Sequence, residues 1–476
     1  MRTSPVLTIT VAATAALAGP LTPPPGAPAP TNKTLRQVEP STPVDTLPGD
    51  ATALHIISEP GAYHLTGNIE ATNLDRIIQI TSTGVSLDLR GFRVRGDATV
   101  DAIIESNNIS ITIRNGTIAG GDDFGLRLNA TGHIVEDITF SGAGAFFNQD
   151  GVALSVGFGS RVSGCVFTGS GRVTTGDAVL IENCTFTEAR NALVLGNGCV
   201  ARDVTIDGGL DSGPEAVITA ESGCMLERVS IVRSFRQAVF AGLHTSIVGC
   251  SFTNDSSASS ASRAIGVGRG AVVVNTRIDR FGTDGIRVGA DSVVAYCTIT
   301  TLDGTAIGAE GGAVIDRCTL SSVGIGVVGE RVIIQDSTFT ACQRGALLDT
   351  ESIVQSSRFT NCVTEGLAVG FGSAVRDCIF RGGSTGVTVA MGDCVIEGNQ
   401  FDSQPLTVSS SDSVIDGNTF TDPNTGALTV PSAGNLIIRN RFSSTLASVT
   451  NIGSGNAVGT FTTNPATAGP CDNLRF

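Results

Sequence analysis

The chain has 476 residues with no Trp, 2 Tyr and 4 His, but 59 Gly and 12 Cys, and 41% of its residues are hydrophobic. These apolar residues are rich in Val and Ile and are interrupted by Gly, Asn, Asp and Ser, which excludes a disordered chain and favours many short strands joined by turns. The formal net charge of −14 argues against nucleic acid as a partner, because phosphate backbones would be repelled.

Residues 1–18 predict an export signal. Arg2 precedes the apolar run of residues 6–17, and the Ala-Leu-Ala sequence ending at Ala18 is a small-x-small cleavage site. The run is too short to span a membrane comfortably as an anchor, so we expect cleavage after Ala18. Residues 19–53 form a Pro-rich tether. No later stretch resembles a transmembrane helix, so we expect a secreted, periplasmic or cell-surface protein with no integral membrane segment.

From residue 54 onward, a short motif recurs that ends in Phe or another large apolar residue. Examples are SRVSGCVF, CVIEGNQF and SVIDGNTF. The copies are spaced about 19 to 27 residues apart, which is the period of a solenoid. Of the 21 Phe residues, eleven occupy this terminal mark: Phe92, Phe140, Phe167, Phe186, Phe252, Phe339, Phe359, Phe380, Phe401, Phe420 and Phe442.

A second element lies between the marks, where apolar residues alternate after a Gly, as in GIRVGAD from Gly285 and GLAVGFG from Gly366. Each unit therefore holds two or three short strands. One unit alone cannot bury its apolar face, but units stacked in register can. The pattern predicts an all-β solenoid of about 17 coils over residues 54–450, with residues 451–476 as a C-terminal cap or tail.

Two residues before each mark, small residues recur directly above one another in the predicted stack. We expect a ladder of small residues that ends in an Asn ladder, because stacked amides can bond one another or the backbone of the corner. The row reads Cys165, Cys184, Val204, Val229, Cys250, Cys297, Cys318, Ser337, Ser357, Cys378, Asn399, Asn418 and Asn440.

The cysteines raise the question of disulfides, because an exported protein with an even count invites them. Four pairs share a register on successive coils, for example Cys165 with Cys184 and Cys297 with Cys318. Parallel stacking holds the Cβ atoms about 4.8 Å apart, beyond the usual disulfide range. We therefore predict mostly reduced, buried thiols, with a disulfide staple as the alternative.

This organisation resembles the pectin-lyase-like proteins, whose fold is a single-stranded right-handed parallel β-helix. More narrowly, the sequence is similar to exported bacterial right-handed β-helix repeat proteins, which often begin with a block like ISEPGAYHL at residues 57–65, followed here by TGNI. The resemblance covers about residues 54–450 and implies the fold. It implies little about function, because this fold carries lyases, hydrolases, epimerases and adhesins.

Enzymes of that family carry acidic and basic residues on the outer face of one sheet. The outward middle position of the Gly-led strands shows no carboxylate in the predicted register: Arg127, Val194, Ile218, Phe240, Gly266, Arg287, Gly308, Gly326, Leu348, Ala368 and Thr388. Acids gather instead at a corner before the mark, with Arg between them, and the favoured interpretation is a solvated corner of weak ion pairs. The family motifs are incomplete, and His133 is interpreted as structural.

Three irregular acids are the candidate catalytic residues. Asp122 and Asp123 lie at a turn that leads into a strand carrying Arg127, and Asp150 lies at the same kind of turn one coil later. Stacked coils would bring the turns together, so these carboxylates and Arg127 are suited to acid–base cleavage of a glycosidic bond or to binding calcium. The alternative is ordinary Asp turn chemistry before Gly.

Two functions stay open from the sequence. The first is an exported protein that binds or processes an extracellular polysaccharide through its looped N-terminal half, as a polysaccharide lyase or glycoside hydrolase if it is an enzyme. The second is a structural or surface β-helix without enzymatic activity, in which the regular C-terminal half is a spacer. In either case we expect a monomer whose ends are covered by residues 53–65 and 451–476, because open sheet ends would polymerise.

Overall fold

The structure, a computed structural model, describes residues 41–143, 151–169, 171–189, 191–208, 216–234, 237–254, 262–421, 426–443 and 450–475. The predicted export signal and most of the predicted tether lie outside these residues. The described part forms a β-solenoid of about 18 turns, which confirms the predicted fold class. Its only helical elements are the 3-10 turns Val44–Thr46 and Pro465–Thr467. No helix in this part is long and apolar enough to cross a membrane.

Each full coil contributes a strand to each of three parallel sheets, named A, B and C in chain order. Sheet A contains Ala53–Ile57, Arg76–Ile80, Ala102–Ser106, Phe124–Leu128, Val152–Val156, Arg172–Thr175, Leu193–Leu195, Ile218–Ala220, Gln237–Ala241, Arg263–Val267, Asp284–Val288, Arg344–Leu348, Glu365–Val369, Val387–Val389, Leu406–Val408, Leu428–Val430 and Thr450–Ile452. Sheet B contains Thr42–Pro43, Gly61–His64, Val85–Asp88, Arg161–Ser163, Leu180–Glu182, Val200–Arg202, Met225–Glu227, Ser246–Val248, Val272–Val274, Val293–Ala295, Val314–Asp316, Ile333–Gln335, Ile353–Gln355, Ala374–Arg376, Val395–Glu397, Val414–Asp416, Leu436–Ile438 and Ala457–Val458.

Sheet C carries the Phe marks. It contains Ile69–Ala71, Arg93–Gly96, Val166–Thr168, Thr185–Ala189, Thr205–Gly208, Ser230–Val232, Ser251–Thr253, Arg277–Asp279, Thr338–Thr340, Arg358–Cys362, Ile379–Gly383, Gln400–Asp402, Thr419–Thr421, Arg441–Ser443, Phe461–Thr462 and Asn473–Arg475. Four longer strands continue through a corner and serve two sheets. Thr112–Ala119 and Ile134–Ser141 join sheets B and C, and Thr298–Ala309 and Thr319–Gly329 join sheets C and A.

The Phe marks point into the interior and stack on one another. Neighbouring rings from Phe339 to Phe442 lie 4.4–5.1 Å apart between centroids, nearly parallel. The inclusion of Phe92 in this row was wrong. Val94 occupies the position, through register pairing with Ile118, and Phe92 precedes its strand and is partly buried.

The buried Asn side chains at the corner between sheets B and C bond one another. The Asn418 Oδ1 accepts hydrogen bonds from the Asn399 backbone N–H and Nδ2, both 3.0 Å, and Asn440 Oδ1 does the same for Asn418 at 2.9 and 3.0 Å. Asn473, from the C-terminal segment, continues this row beyond Asn440. Each amide therefore satisfies a backbone N–H that the corner would otherwise leave without a partner.

Eleven of the twelve cysteines are buried, and only Cys471 is exposed. Several thiols donate to nearby backbone carbonyls, as Cys378 Sγ does to the carbonyl of Arg376 at 3.2 Å. Burial raises the pKa of the Cys250 thiol to about 11. The cysteines thus pack as small apolar residues, as the sequence predicted, and their reduced state in solution stays a prediction.

Candidate functional site

Sheet A has an outer face on which one position per strand aligns along the solenoid axis. The register gives Gln79, Glu105, Arg127, Ser155, Thr174, Val194, Thr219, Phe240, Gly266, Arg287, Gly308, Val328, Leu347, Ala368, Thr388, Thr407 and Thr429. This row, called the outer row below, shows which side chains a ligand on the sheet would meet in succession.

The predicted outer face was wrong at three coils by one or two residues. Ile218 and Leu348 point inward and are buried, and their neighbours Thr219 and Leu347 face out. At the third coil, Val328 and not Gly326 pairs with Gly308. A one-residue slip exchanges the two faces of a strand, so short apolar runs fix the register poorly when read alone.

The prediction that this face lacks carboxylates was also wrong, because Glu105 belongs to the outer row. Glu105 is 5% exposed and lies between two arginines on the neighbouring strands. Arg76 Nε donates a hydrogen bond to Glu105 Oε2, and Arg127 Nη1 lies 3.5 Å from Glu105 Oε1. The Arg127 guanidinium also lies over the Phe124 ring, 4.7 Å from its centroid. Arg127 is therefore held between a carboxylate and an aromatic ring.

The structure places two of the three predicted catalytic acids. Asp122 is half-buried and Asp123 is exposed, at the turn that leads into the strand of Arg127. The Asp122 backbone N–H donates to the carbonyl of Val100 at 2.8 Å. Asp150 lies outside the described residues, although Val152, two residues later, donates its N–H to the carbonyl of Asp123 at 2.9 Å. The proposed grouping of Asp122, Asp123, Asp150 and Arg127 thus stays a prediction.

A groove of about 650 Å³ lies on the outer face of sheet A, farther along the axis. Arg287 stands at one end of it, and the register neighbours of Arg287 on both sides are glycines, Gly266 and Gly308. Val328 and Leu347 form an apolar floor beyond Gly308. The groove therefore combines a cationic group, open space above Gly308 and an apolar surface. It lies in the half of the chain that the sequence analysis interpreted as a spacer.

Three carboxylates border this groove on consecutive coils. Glu310, Glu330 and Asp349 each follow the end of a sheet A strand, directly after residues that are in register, and all three are exposed. Asp284, on the opposite border, is paired with Arg263 at 2.8 Å. Among the described residues, no three His, Cys, Asp or Glu converge closely enough to hold a metal ion, so the suggestion of calcium gains no site here.

A second groove of about 440 Å³ lies on the same face, closer to the N-terminus. Phe240 lines this groove and is 55% exposed. Thr219, its register neighbour on the preceding coil, and Gln237, on its own strand, add a hydroxyl and an amide group to the lining. A β-carbon at position 266 would lie 2.6 Å from the Gln237 Nε2, so Gly266 makes room for that amide. An exposed aromatic ring beside hydroxyl and amide groups can contact a ligand through its face while the polar groups form hydrogen bonds.

The two grooves follow each other along the axis. Only the coil of Arg263–Val267 separates them, and its residue in the outer row is Gly266. From the strand of Arg172 to the strand of Arg344, nine sheet A strands span about 38 Å at the usual strand spacing. The outer face therefore offers an extended path perpendicular to the strands, on which Gly266, with the Gln237 amide beside it, lies between Phe240 and Arg287.

Two other sequence interpretations concern residues outside this face. The acidic corner does form ion pairs: Arg228 Nε lies 2.6 Å from Asp203 Oδ1, and Glu182 lies between Arg161 and Arg202. His133 is buried, and its Nδ1 lies 3.3 Å from the Ile111 backbone nitrogen, which donates to it. Burial lowers the pKa of His133, so the ring is a neutral structural group, as expected.

Comparison with known proteins matches a family model described as "Right handed beta helix region" to residues 216–401. No curated protein matches the sequence. Among solved structures, the chain is similar to the tailspike protein of E. coli bacteriophage HK620 in complex with a pentasaccharide, at 11% identity and a TM-score of 0.38, covering 75% of this chain and 72% of that chain.

Two further solved structures are also similar to the chain. One is a mannuronic acid specific polysaccharide family 6 lyase from human gut microbiota, at 12% identity and a TM-score of 0.34, covering 66% of this chain and 83% of that chain. The other is the receptor-binding protein of bacteriophage Det7, at 10% identity and a TM-score of 0.31, covering 81% and 76%. At these values the likenesses carry no argument about what this chain does. The described part of the chain is thus a stack of parallel coils, of which residues 216–401 match the right-handed β-helix model.

Proposed function

We propose that this protein binds a polysaccharide along the outer face of sheet A, through the two grooves that contain Phe240 and Arg287. The observation that carries the proposal is their arrangement in line along the axis, over about 38 Å of strands. A small compact ligand would need only one of them. A chain of repeating units can occupy both, and between them it would pass over Gly266 and the Gln237 amide beside it.

The side chains on this path suit sugars. The exposed face of Phe240 offers an apolar surface for the carbon-bearing face of a ring, and Thr219 and Gln237 offer hydrogen bonds at its edge. Arg287 offers several N–H donors to hydroxyl or carboxyl oxygens. Val328 and Leu347 supply a second apolar surface two and three coils beyond Arg287. The proposed site therefore alternates apolar and polar contacts along the chain of the ligand.

We further propose that any cleavage of the bound chain takes place at the acidic border of the larger groove. Neighbouring coils set the Cα atoms of Glu310 and Glu330 about 4.8 Å apart, and Glu310 and Asp349 about 9.6 Å apart. These backbone spacings bracket the carboxyl separations used by retaining and inverting glycoside hydrolases. Asp122, Asp123, Asp150 and Arg127 form the alternative catalytic group, and substitutions at the two places distinguish them.

The test is a panel of polysaccharides, with binding and release of reducing or unsaturated ends measured on the same samples. We expect Phe240→Ala to weaken binding at least about tenfold, which corresponds to about 1.4 kcal/mol. Phe158→Ala is the matched control, because Phe158 is 58% exposed but lies at a turn outside both grooves. Equal affinity of the Phe240→Ala variant and the parent protein would show that the ligand lies elsewhere.

The catalytic part has its own test. If products appear, Glu330→Gln should abolish them while leaving binding unchanged, and Asp123→Asn should leave both unchanged. Loss of products in Asp123→Asn but not in Glu330→Gln would place the chemistry at the N-terminal turns. Binding without products from any polysaccharide would support the second function, a non-catalytic surface β-helix that recognises a glycan.

We also propose that the chain is exported, on the basis of the residue pattern of its first 18 residues. N-terminal sequencing of the protein from the culture medium, periplasm or cell surface tests this proposal. The expected first residue is Gly19. Recovery of the intact N-terminus from the cytoplasm alone would refute it.

A further inference from the structure

The N-terminal end of the solenoid is covered. Thr42–Pro43 pairs with the first full strand of sheet B, and Ile56, at the edge of sheet A, donates its backbone N–H to the carbonyl of Pro48 at 3.0 Å. Val44 lies over the interior and is 0% exposed, and the inward-pointing Ile57 of the first coil is equally buried. Residues 42–50 therefore close two sheet edges and the end of the core, whereas residues 53–65, the predicted cap, form strands of the first coil.

The C-terminal end differs. Among the described residues, the strands Thr450–Ile452 of sheet A and Ala457–Val458 of sheet B pair with the preceding coil and with no later strand. The carbonyl of Ile437 accepts a hydrogen bond from the N–H of Gly459 at 2.9 Å, but the equivalent carbonyl of Val458 accepts none in the described part of the chain. Past Gly459 the chain departs from this path, and its last strand, Asn473–Arg475, enters sheet C.

Within the described residues, the core is also open at this end. Val458 is in register with Ile437, which points inward and is fully buried, yet Val458 is 40% exposed because no further described strand of sheet B pairs with its own. Ile452 and Phe461, inward residues of the same coil, are only partly buried. An end face with unpaired strand edges and exposed core side chains is a surface that natural β proteins normally protect.

The usual protection by charged side chains is missing from this segment of the sequence. Residues 442–471 contain no Asp, Glu, Lys, Arg or His, although 16% of the whole chain is charged. Two copies of a protein with a net charge of −14 repel each other on average, but contact at this end would bring no charge of this segment against another. The two free strands of sheets A and B therefore carry no charged side chain that would protect their edges or oppose self-association, and the nearest charge on this end is Arg475 of sheet C, which lies over the Phe461 ring, 5.4 Å from its centroid.

We propose that the C-terminal end of the solenoid binds the same end of a second copy of this chain. Contact with the N-terminal end of another copy would be heterologous and would continue into a filament, but residues 42–50 cover that end. Contact between two C-terminal ends is isologous and closes at two copies. A two-fold axis perpendicular to sheet A places the two Thr450–Ile452 strands antiparallel, so that their free edges can pair. The expectation of a monomer assumed that both ends are covered.

Sedimentation velocity of the full chain tests the proposal over a hundredfold range of protein concentration. We expect a concentration-dependent species of twice the monomer mass, and no larger one. Val458→Lys should shift the protein to monomer, because it places two ammonium groups across the two-fold axis. Leu436→Lys is the matched control: Leu436 lies on the preceding strand of sheet B and is 37% exposed, but it faces sideways into solvent, and we expect its variant to remain dimeric.

Circular dichroism checks that both variants keep the fold. If Val458→Lys unfolds, hydrogen exchange of the unsubstituted protein gives an independent measurement: protection of the amides of residues 450–458 should rise with protein concentration. A protein that is monomeric at every concentration would overturn the proposal. So would species larger than a dimer, or equal dissociation of the Val458→Lys and Leu436→Lys variants.

Discussion

The buried Asn side chains at the corner between sheets B and C allow a prediction in which the chain supplies its own control. Asn418 is 0% exposed. Its Oδ1 accepts from the Asn399 backbone N–H, and its Nδ2 donates to the carbonyl of Ile396 at 2.8 Å. Asn418→Ala removes these two bonds as well as those with Asn399 Nδ2 and Asn440 Oδ1, and it leaves the buried backbone N–H of Asn399 without an acceptor. At about 1–3 kcal/mol for each buried group left unsatisfied, we expect the free energy of unfolding to fall by about 3 kcal/mol.

Asn418→Ser is the control, because serine already occupies the same register in two other coils. There Ser357 Oγ accepts from the Ser337 backbone N–H at 3.2 Å and donates to the carbonyl of Gln355 at 2.9 Å. The serine variant can make equivalent bonds, so we expect it to lose only about 1 kcal/mol. Urea unfolding followed by circular dichroism measures both values, and hydrogen exchange reports fraying of the terminal coils. Equal losses would show that Asn418 contributes packing alone.

Three further predictions concern the stacked Phe rings, the ion pairs of Glu182 and the buried thiols. Phe380→Ala removes a ring stacked 4.9 and 5.1 Å from its neighbours and should cost about 3–5 kcal/mol in urea unfolding, more than Phe380→Leu. Hydrogen bonds from Arg202 and Arg161 lower the pKa of Glu182. Its contribution to stability is therefore present above the unfolded pKa of about 4.3 and is lost as the pH falls through the folded pKa. In a series of melting temperatures against pH, Glu182→Gln should reduce the fall in melting temperature at acid pH. Burial raises the pKa of Cys378 to about 12, so thiol reagents should label this thiol slowly in the native protein and the exposed Cys471 quickly. Nearly all 12 cysteines should react once the protein is unfolded without reductant, and few free thiols would reveal disulfides.

The interior of this protein could be predicted from its sequence because each inward residue packs against its own equivalent on the next coil. That contact repeats along the chain, so Phe, Cys and Asn recur at fixed offsets and identify the stack. The outer face carries no such constraint. Ile218 and Leu348 were assigned to it because short runs of apolar residues fit two registers, and only the pairing of neighbouring strands selects one.

The grooves could not be predicted for a related reason. The larger one depends on Gly308 lying between Arg287 and Val328 on three consecutive coils, a pattern spread over about 40 residues of sequence. Glu105 was missed because its strand, Ala102–Ser106, lacks the Gly that marks the later strands of sheet A. The signal that would have found it is its register with Arg127, which follows from aligning the strands by their buried residues.

The two proposals together constrain how a dimer would meet its ligand. A two-fold axis perpendicular to sheet A keeps both outer faces on the same side, and the strands of Arg344 in the two copies would lie about 53 Å apart, eleven strand spacings. The same axis reverses the direction of the solenoid. A polysaccharide has two different ends, so one straight chain cannot enter both grooves in the same sense. The dimer would therefore gain avidity from a surface that displays many chains, or from a chain that folds back, and little from a single short oligosaccharide.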